Sequence, residues 1–120
     1  MARVASAAGR ASEEPNRCFA FAVVRAEDDL VIGRLSVERD RSHPAIAWIT
    51  FVEIADEYQH HGHGRGALSL ATGWAARLEG VQHVRAEILE ANVASRRTFA
   101  ASGYARTAEL AGQVWEWTPA

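Results

Sequence analysis

The sequence predicts an α+β domain in which a mixed, mostly antiparallel sheet carries its helices packed on it. Three observations carry this. Runs rich in β-branched and aromatic residues fill 19–25, 30–38 and 45–54, with polar connections between them. The apolar period then changes, with Ala67, Leu68, Ala71, Trp74, Ala75 and Leu78 recurring every three or four residues. A short strand-like segment, His83–Leu89, follows that helix, and a strand reached through a helical crossover pairs parallel.

Taken in order, residues 1–18 are rich in Ala, Ser and Arg without periodicity and read as a flexible tail, so the domain is expected over 19–120. Phe19–Arg25 and Leu30–Glu38 form a hairpin around Glu27-Asp28-Asp29. Polar residues 39–44 lead to Ala45–Ile54, which alternates Ile46, Trp48, Thr50 and Val52 against Ala47, Ile49, Phe51 and Glu53. Residues 65–79 make an amphipathic helix ending at Gly80, and Asn92 caps a second helix, 94–102, that stops at Gly103. Tyr104–Glu109 and Gln113–Trp117 close the chain as a hairpin around Ala111-Gly112. The predicted order is β-β-β-α-β-α-β-β.

Composition narrows the function. A chain of 120 residues has room for one core, and 48% hydrophobic residues argue against disorder. The formal charge of −2 argues against a polyanion binder, so no nucleic-acid partner is expected. All thirteen basic residues are arginine, which excludes Schiff-base or general-base lysine chemistry within the chain. Cys18, the one cysteine, has no internal disulfide partner, and residues 1–18 hold no apolar run of signal-peptide type; a cytoplasmic protein without a membrane partner is expected.

Gln59-His60-His61-Gly62-His63-Gly64-Arg65-Gly66 stands between a strand and a helix. A helix start leaves amides unpaired and carries partial positive charge, which sequences usually answer with a Ser, Thr, Asp or Asn cap or a first-turn acid. Neither is present here, and glycines let backbone approach a ligand, so a bound phosphate or pyrophosphate supplies the negative charge in this reading. A flexible glycine turn is the alternative. A Walker loop is unsupported, because Arg65 and Gly66 stand where Lys and Ser or Thr are needed. Gly62-x-Gly64-x-x-Ala67 fits a relaxed dinucleotide fingerprint with Glu90 for a ribose, although three antiparallel strands precede it. Adjacent histidines rarely converge on one ion, so no metal site is expected at His60, His61 and His63.

These residues resemble the GNAT (Gcn5-related N-acetyltransferase) superfamily. Gln59-x-x-Gly62-x-Gly64, led in by Asp56-Glu57-Tyr58, is similar to its pyrophosphate signature, and Asn92-x-x-Ser95 followed by Phe99 and Gly103-Tyr104 is similar to its second motif. The similarity covers roughly residues 19–117 and is closest to the branch acetylating protein N-termini and aminoglycoside-like amines. The resemblance implies a GNAT-like fold with a central parallel strand pair that splays, and acetyl-coenzyme A as co-substrate. It further implies that the pantetheine arm pairs with backbone near Ile54, that amides of His60 to Arg65 meet the pyrophosphate, and that Asn92 and Ser95 lie near the thioester. For Asn92 a helix cap alone is the other reading, and the two can coexist.

Two departures from the family matter. Phe99 stands where a tyrosine acid is common, leaving Ser95, a water or, more weakly, Tyr104 to protonate the leaving thiolate. The residues ahead of Phe19 are also too few for the helix pair that forms one wall of the family's acceptor cleft. A homodimer that covers the exposed face through Trp115 and Trp117 is therefore expected, the alternative being that both pack on their own chain. Glu53, a lone carboxylate in an apolar strand, is the candidate base if buried and an ordinary outward acid if not. The expected function is acetyl transfer to a small-molecule or peptide primary amine. A non-catalytic acyl-coenzyme A binding or sensor module and a dinucleotide-binding protein are the alternatives.

Overall fold

The computed structural model describes residues 2–6 as backbone and residues 17–107 and 113–119 in full. Within these, the chain runs β1 (Ala2–Ser6), β2 (Cys18–Arg25), β3 (Val31–Arg39), β4 (Ile46–Ile54), a 3₁₀ turn (Asp56–Tyr58), α1 (His63–Ala76), β5 (His83–Glu87), α2 (Val93–Ala101), β6 (Tyr104–Arg106) and β7 (Val114–Trp117). One sheet takes them in the order β1-β2-β3-β4-β5-β7-β6, antiparallel throughout except for β4 with β5. The dinucleotide alternative fails on this topology, since the described residues form one parallel pair, β4 with β5, where a doubly wound sheet needs several. The expected turn at Ala111-Gly112 and residue Glu109 lie outside the described residues.

The expected tail is corrected in part. Ala2 to Ser6 pair antiparallel with Arg25 to Phe21 and add an edge strand before the predicted six. The outer edge of β2 offers a row of unpaired amides and carbonyls, and this favours pairing even for a segment of indifferent composition. Elsewhere the predicted elements stand within a few residues, the hairpin at Glu27-Asp28-Asp29 included: Asp29 takes φ 58°, and Asp28 accepts from the Leu30 amide and pairs with Arg25.

The core lies between the sheet and the two helices. Val23, Leu35, Val37, Ala47, Ile49, Val84 and Ala86 from the strands meet Ala67, Leu68, Ala71 and Ala75 of α1, with Phe99 of α2 and Tyr104 beside them. Small residues on the buried face of α1 let the helix sit close to the sheet, and Trp74 fills the far end edge-on to Phe19 and Phe21. Trp115 and Trp117 are half-buried and pack against this same core. No helix of the described residues is long and apolar enough to cross a membrane.

Two features of β4 shape everything downstream. Val37 pairs with Ile49 but Ser36 with Phe51, so Thr50 is an extra residue opposite no partner, a bulge that its hydroxyl ties to the Ser36 carbonyl. Strict alternation therefore breaks there: Ala47, Ile49, Val52 and Ile54 turn toward the helices, while Trp48, Phe51 and Glu53 turn away. Near its end β4 is also clamped to β3, because a Cβ at Gly33 would stand 2.1 Å from the Glu53 carbonyl oxygen. Gly33→Ala is thus expected to cost about 1–3 kcal/mol of stability in urea unfolding, as overpacked sites do, whereas an unchanged midpoint would show that this clamp is not tight.

Candidate functional site

The parallel pair β4–β5 holds together over only three residue pairs, Ile46 with His83, Ala47 with Val84 and Trp48 with Arg85. β5 also pairs with β7, and β4 runs on to Ile54 with no strand among the described residues on the side β5 has left. Backbone groups on that bare edge need partners from outside the ladder. Beside it, on the helix face, lies a cleft of about 330 Å³. Val52, Ile54 and Tyr58 form one wall, Gln59, His60 and Gly62 to Arg65 the end, and Ala94, Ser95, Thr98 and Phe99 of α2 the other wall.

The end of the cleft is the start of α1. Gly62 is its N-cap at φ 81°, a conformation that glycine adopts without strain, and no side chain caps the helix. The first intrahelical bond runs from the Gly66 amide to the Gly62 carbonyl, which leaves the amides of His63, Gly64 and Arg65 without intrahelical partners. No acid stands in the first turn. A Cβ at Gly64 would face Ile54 Cγ1 on the cleft wall at 3.6 Å, an ordinary contact, so packing within the chain does not itself require glycine there. His60 holds the left-handed conformation, φ 67°, that bends the loop into position. Gln59 braces it by donating from Nε2 to the Ile54 carbonyl at 2.9 Å and to Asp56 Oδ1 at 3.2 Å.

Of the residues the sequence proposed, Ile54, Gln59, His60, Gly62, His63, Gly64, Arg65 and Ser95 come together on this one cleft. His61 lies beside it, exposed, with its ring 6.1 Å from that of His63. His63 is buried, and its Nδ1 has no hydrogen-bond partner among the described residues. Asn92 serves as the α2 cap, its side-chain oxygen accepting from the Ser95 amide at 3.1 Å, and it is not part of the cleft wall. The carbonyl of Ile54 accepts one bond from Gln59 Nε2, and a carbonyl oxygen keeps a second lone pair for another donor.

Two proposed residues stand elsewhere. Glu53 is not buried: its side chain is 64% exposed, on the sheet face away from the cleft, and bonds Arg34 Nε at 3.2 Å. The bulge at Thr50 is the reason, for it puts Glu53 on the open face with Phe51 and off the face of Ile49. Tyr104 is buried in the core, edge-on to Phe99 at 4.9 Å, its hydroxyl bonded to Thr72 Oγ1 at 2.6 Å. Burial pushes its phenol above the usual tyrosine range against the opposing pull of that bond. It is outside the cleft and acts as a packing residue. Thr98, Ala94 and Val52 are cleft residues that sequence reasoning passed over; the i, i+1, i+4, i+5 spacing of 94, 95, 98 and 99 on one helix face was the available signal.

A family model described as an acetyltransferase (GNAT) domain matches residues 2–105. Among solved structures, a provisionally named acyl-CoA N-acyltransferase from Klebsiella pneumoniae is similar over 98% of this chain and 97% of that one, at 14% identity and TM-score 0.73. PaiA N-acetyltransferase from Thermoplasma acidophilum, in complex with coenzyme A, matches 86% of this chain and 62% of its own at 15% identity and TM-score 0.68. An acetyltransferase from Thermus thermophilus matches 88% and 64% at 23% identity and TM-score 0.66. The chain thus spans less than two thirds of the length of the latter two. A search of curated proteins finds no match.

Thr72→Val is expected to lose about 1–3 kcal/mol by leaving the Tyr104 hydroxyl buried and unpaired, and adding Tyr104→Phe is expected to recover most of it. A single variant as stable as the parent in thermal unfolding would show that the phenol has another partner.

Proposed function

The chain belongs to the GNAT acetyltransferase family, and we propose that it binds acetyl-coenzyme A in the cleft between β4 and α2 and transfers the acetyl group to a primary amine. The observation that carries this reading is the uncapped, acid-free start of α1 opening onto the bare edge of β4. The residues fit the cofactor. Three unpartnered amides and Arg65 suit a pyrophosphate, the missing Cβ of Gly64 leaves room for it, and the apolar wall of Val52, Ile54 and Phe99 suits a pantetheine arm that pairs with strand backbone.

When bound, acetyl-coenzyme A supplies an acetyl thioester, an acyl group already activated toward amines. The chain's part is to hold and orient. The α1 amides and Arg65 hold the anionic end, and Gln59 keeps the loop closed on it. The free edge of β4 past the Thr50 bulge orients the reacting end and offers backbone donors to a developing oxyanion. In the overall change the C–N bond forms and the C–S bond breaks; of the two protons the ammonium loses, one ends on the thiol and one in solvent. We assign the proton transfer to sulfur to Ser95, whose half-buried side chain lines the cleft on the α2 wall, since Phe99 has no proton to give.

That phenylalanine also favours a second reading, an acyl-coenzyme A binding module without turnover. Thiol release with a panel of primary amines separates the two: release supports transfer, and acetyl-coenzyme A binding without release supports the module. Under the first reading, Gly64→Val is expected to abolish acetyl-coenzyme A binding in calorimetry with the fold intact, and unchanged affinity contradicts the assignment of the anionic end. Ser95→Ala is expected to lower kcat by about tenfold or more, general-acid contributions being of order 10²–10⁴ when fully lost, with little effect on cofactor affinity.

A further inference from the structure

α1 and α2 pack on the same side of the sheet, and among the described residues no helix lies on the other. Strand register sets what that bare face shows. Ala20 and Ala22 of β2 stand opposite Ser36 and Arg34 of β3, which in turn stand opposite Phe51 and Glu53 of β4. Trp115 and Trp117 pack with the core on the covered side, so the bare face is left to these residues. We propose that this face is where a second copy of the chain docks about a two-fold axis, through Phe51 and with the Arg34 and Glu53 of each copy exchanging partners across it.

The relief of the face is self-complementary. The Thr50 bulge turns Phe51 out beside Glu53 and off the face of Ile49, and this residue stays 41% exposed in mid-sheet. Val31, 62% exposed, adds a second apolar side chain on the same face, opposite Val24. Next to Phe51 the surface is low, because its partner on β3 is Ser36 and the next residue across, on β2, is Ala20. An aromatic knob beside a small-residue trough is what an isologous contact needs, since the two-fold axis lets each ring enter the other copy's trough.

The charges point to the same occupant. Arg34 lies over the Phe51 ring at 5.0 Å and donates from Nε to Glu53 at 3.2 Å, and both charged side chains remain largely exposed. Arg17 with Glu38 and Arg85 with Glu116 repeat the pairing along the face, so neither sign prevails. A polyanion or an anionic lipid surface draws on an excess of positive charge. A second copy needs none, for the axis sets each Arg34 against the partner's Glu53. The size fits as well: β2 to β4, the latter two of nine residues, with β1 and β5 at their flanks outline about 30 by 24 Å, or about 700 Å², where a stable complex takes about 800 Å² per partner.

The test is sedimentation velocity of the full chain over about 1–100 μM, the range in which micromolar association is read. The expected result is a shift with concentration from the mass of one chain to that of two. Arg34→Glu makes the central charges wholly acidic and Glu53→Arg makes them wholly basic. Each variant alone should associate about tenfold or more weakly, as like charges set against each other across an interface do, and an equimolar mixture of the two should regain the parent's association. Phe51→Asn should weaken association by about the same factor through loss of the anchor, while Leu70→Gln, on the exposed side of α1, leaves it unchanged. The comparison is made among variants whose circular dichroism matches the parent's. A parent of one-chain mass throughout overturns the proposal and leaves the face to a partner of other chemistry. Parent-like association of both charge variants, or of Phe51→Asn, overturns it by placing the interface elsewhere, and so does a mixture that stays at one-chain mass.

Discussion

Parallel strands β4 and β5 that stay paired for three residues and then part leave a stretch of β4 backbone without a ladder, and the rest of the structure is arranged around that deficit. Peptide groups cannot be left bare in a protein interior without a cost that other contacts must offset. Here the parting widens into a cleft on the helix face and a hollow on the open face. The Thr50 bulge sharpens the effect by shifting the outer half of β4 out of register with its inner half. The Gly33 contact holds the far end of β4 against β3, so the strand bends away from β5 and stays joined to the sheet.

The position of α1 follows from the same geometry. The chain leaves β4 beside the gap, turns through the 3₁₀ segment and enters the helix at Gly62, so the helix start points at the bare edge. Partial positive charge at that end, free amides and the lack of any acid make one electrostatic demand, and strand backbone alongside makes a complementary one. Both are met by an elongated ligand that is anionic at one end and amide-bearing along its length. The buried face of α1, made of Ala67, Leu68, Ala71 and Ala75 against the sheet, keeps the helix start from drifting.

Much of this was legible in the sequence because it is periodic or local. The change from alternating to helical spacing located β4 and α1, and the lack of a capping side chain or first-turn acid at the glycine loop was readable from the residues themselves. What the sequence hid depends on partners. A bulge is visible only as a register shift against β3, so the alternation of residues 46–54 gave Glu53 the wrong companion in Ile49. Tyr104 reads as a hydroxyl of open role until Thr72 is seen opposite it, 32 positions away in the chain. Residues 2–6 gain their strand from the edge of β2, which no local pattern announces.

The central claim, that the uncapped start of α1 is the anion-binding end of an acyl-coenzyme A cleft, is tested most directly by following backbone amide resonances of the full chain during titration with acetyl-coenzyme A. The account predicts saturable shifts that are largest at His63, Gly64 and Arg65 and continue along β4 from Val52 to Ile54, with β2 and the β2–β3 turn unmoved. Shifts confined to other elements, or none at saturating cofactor, would contradict it.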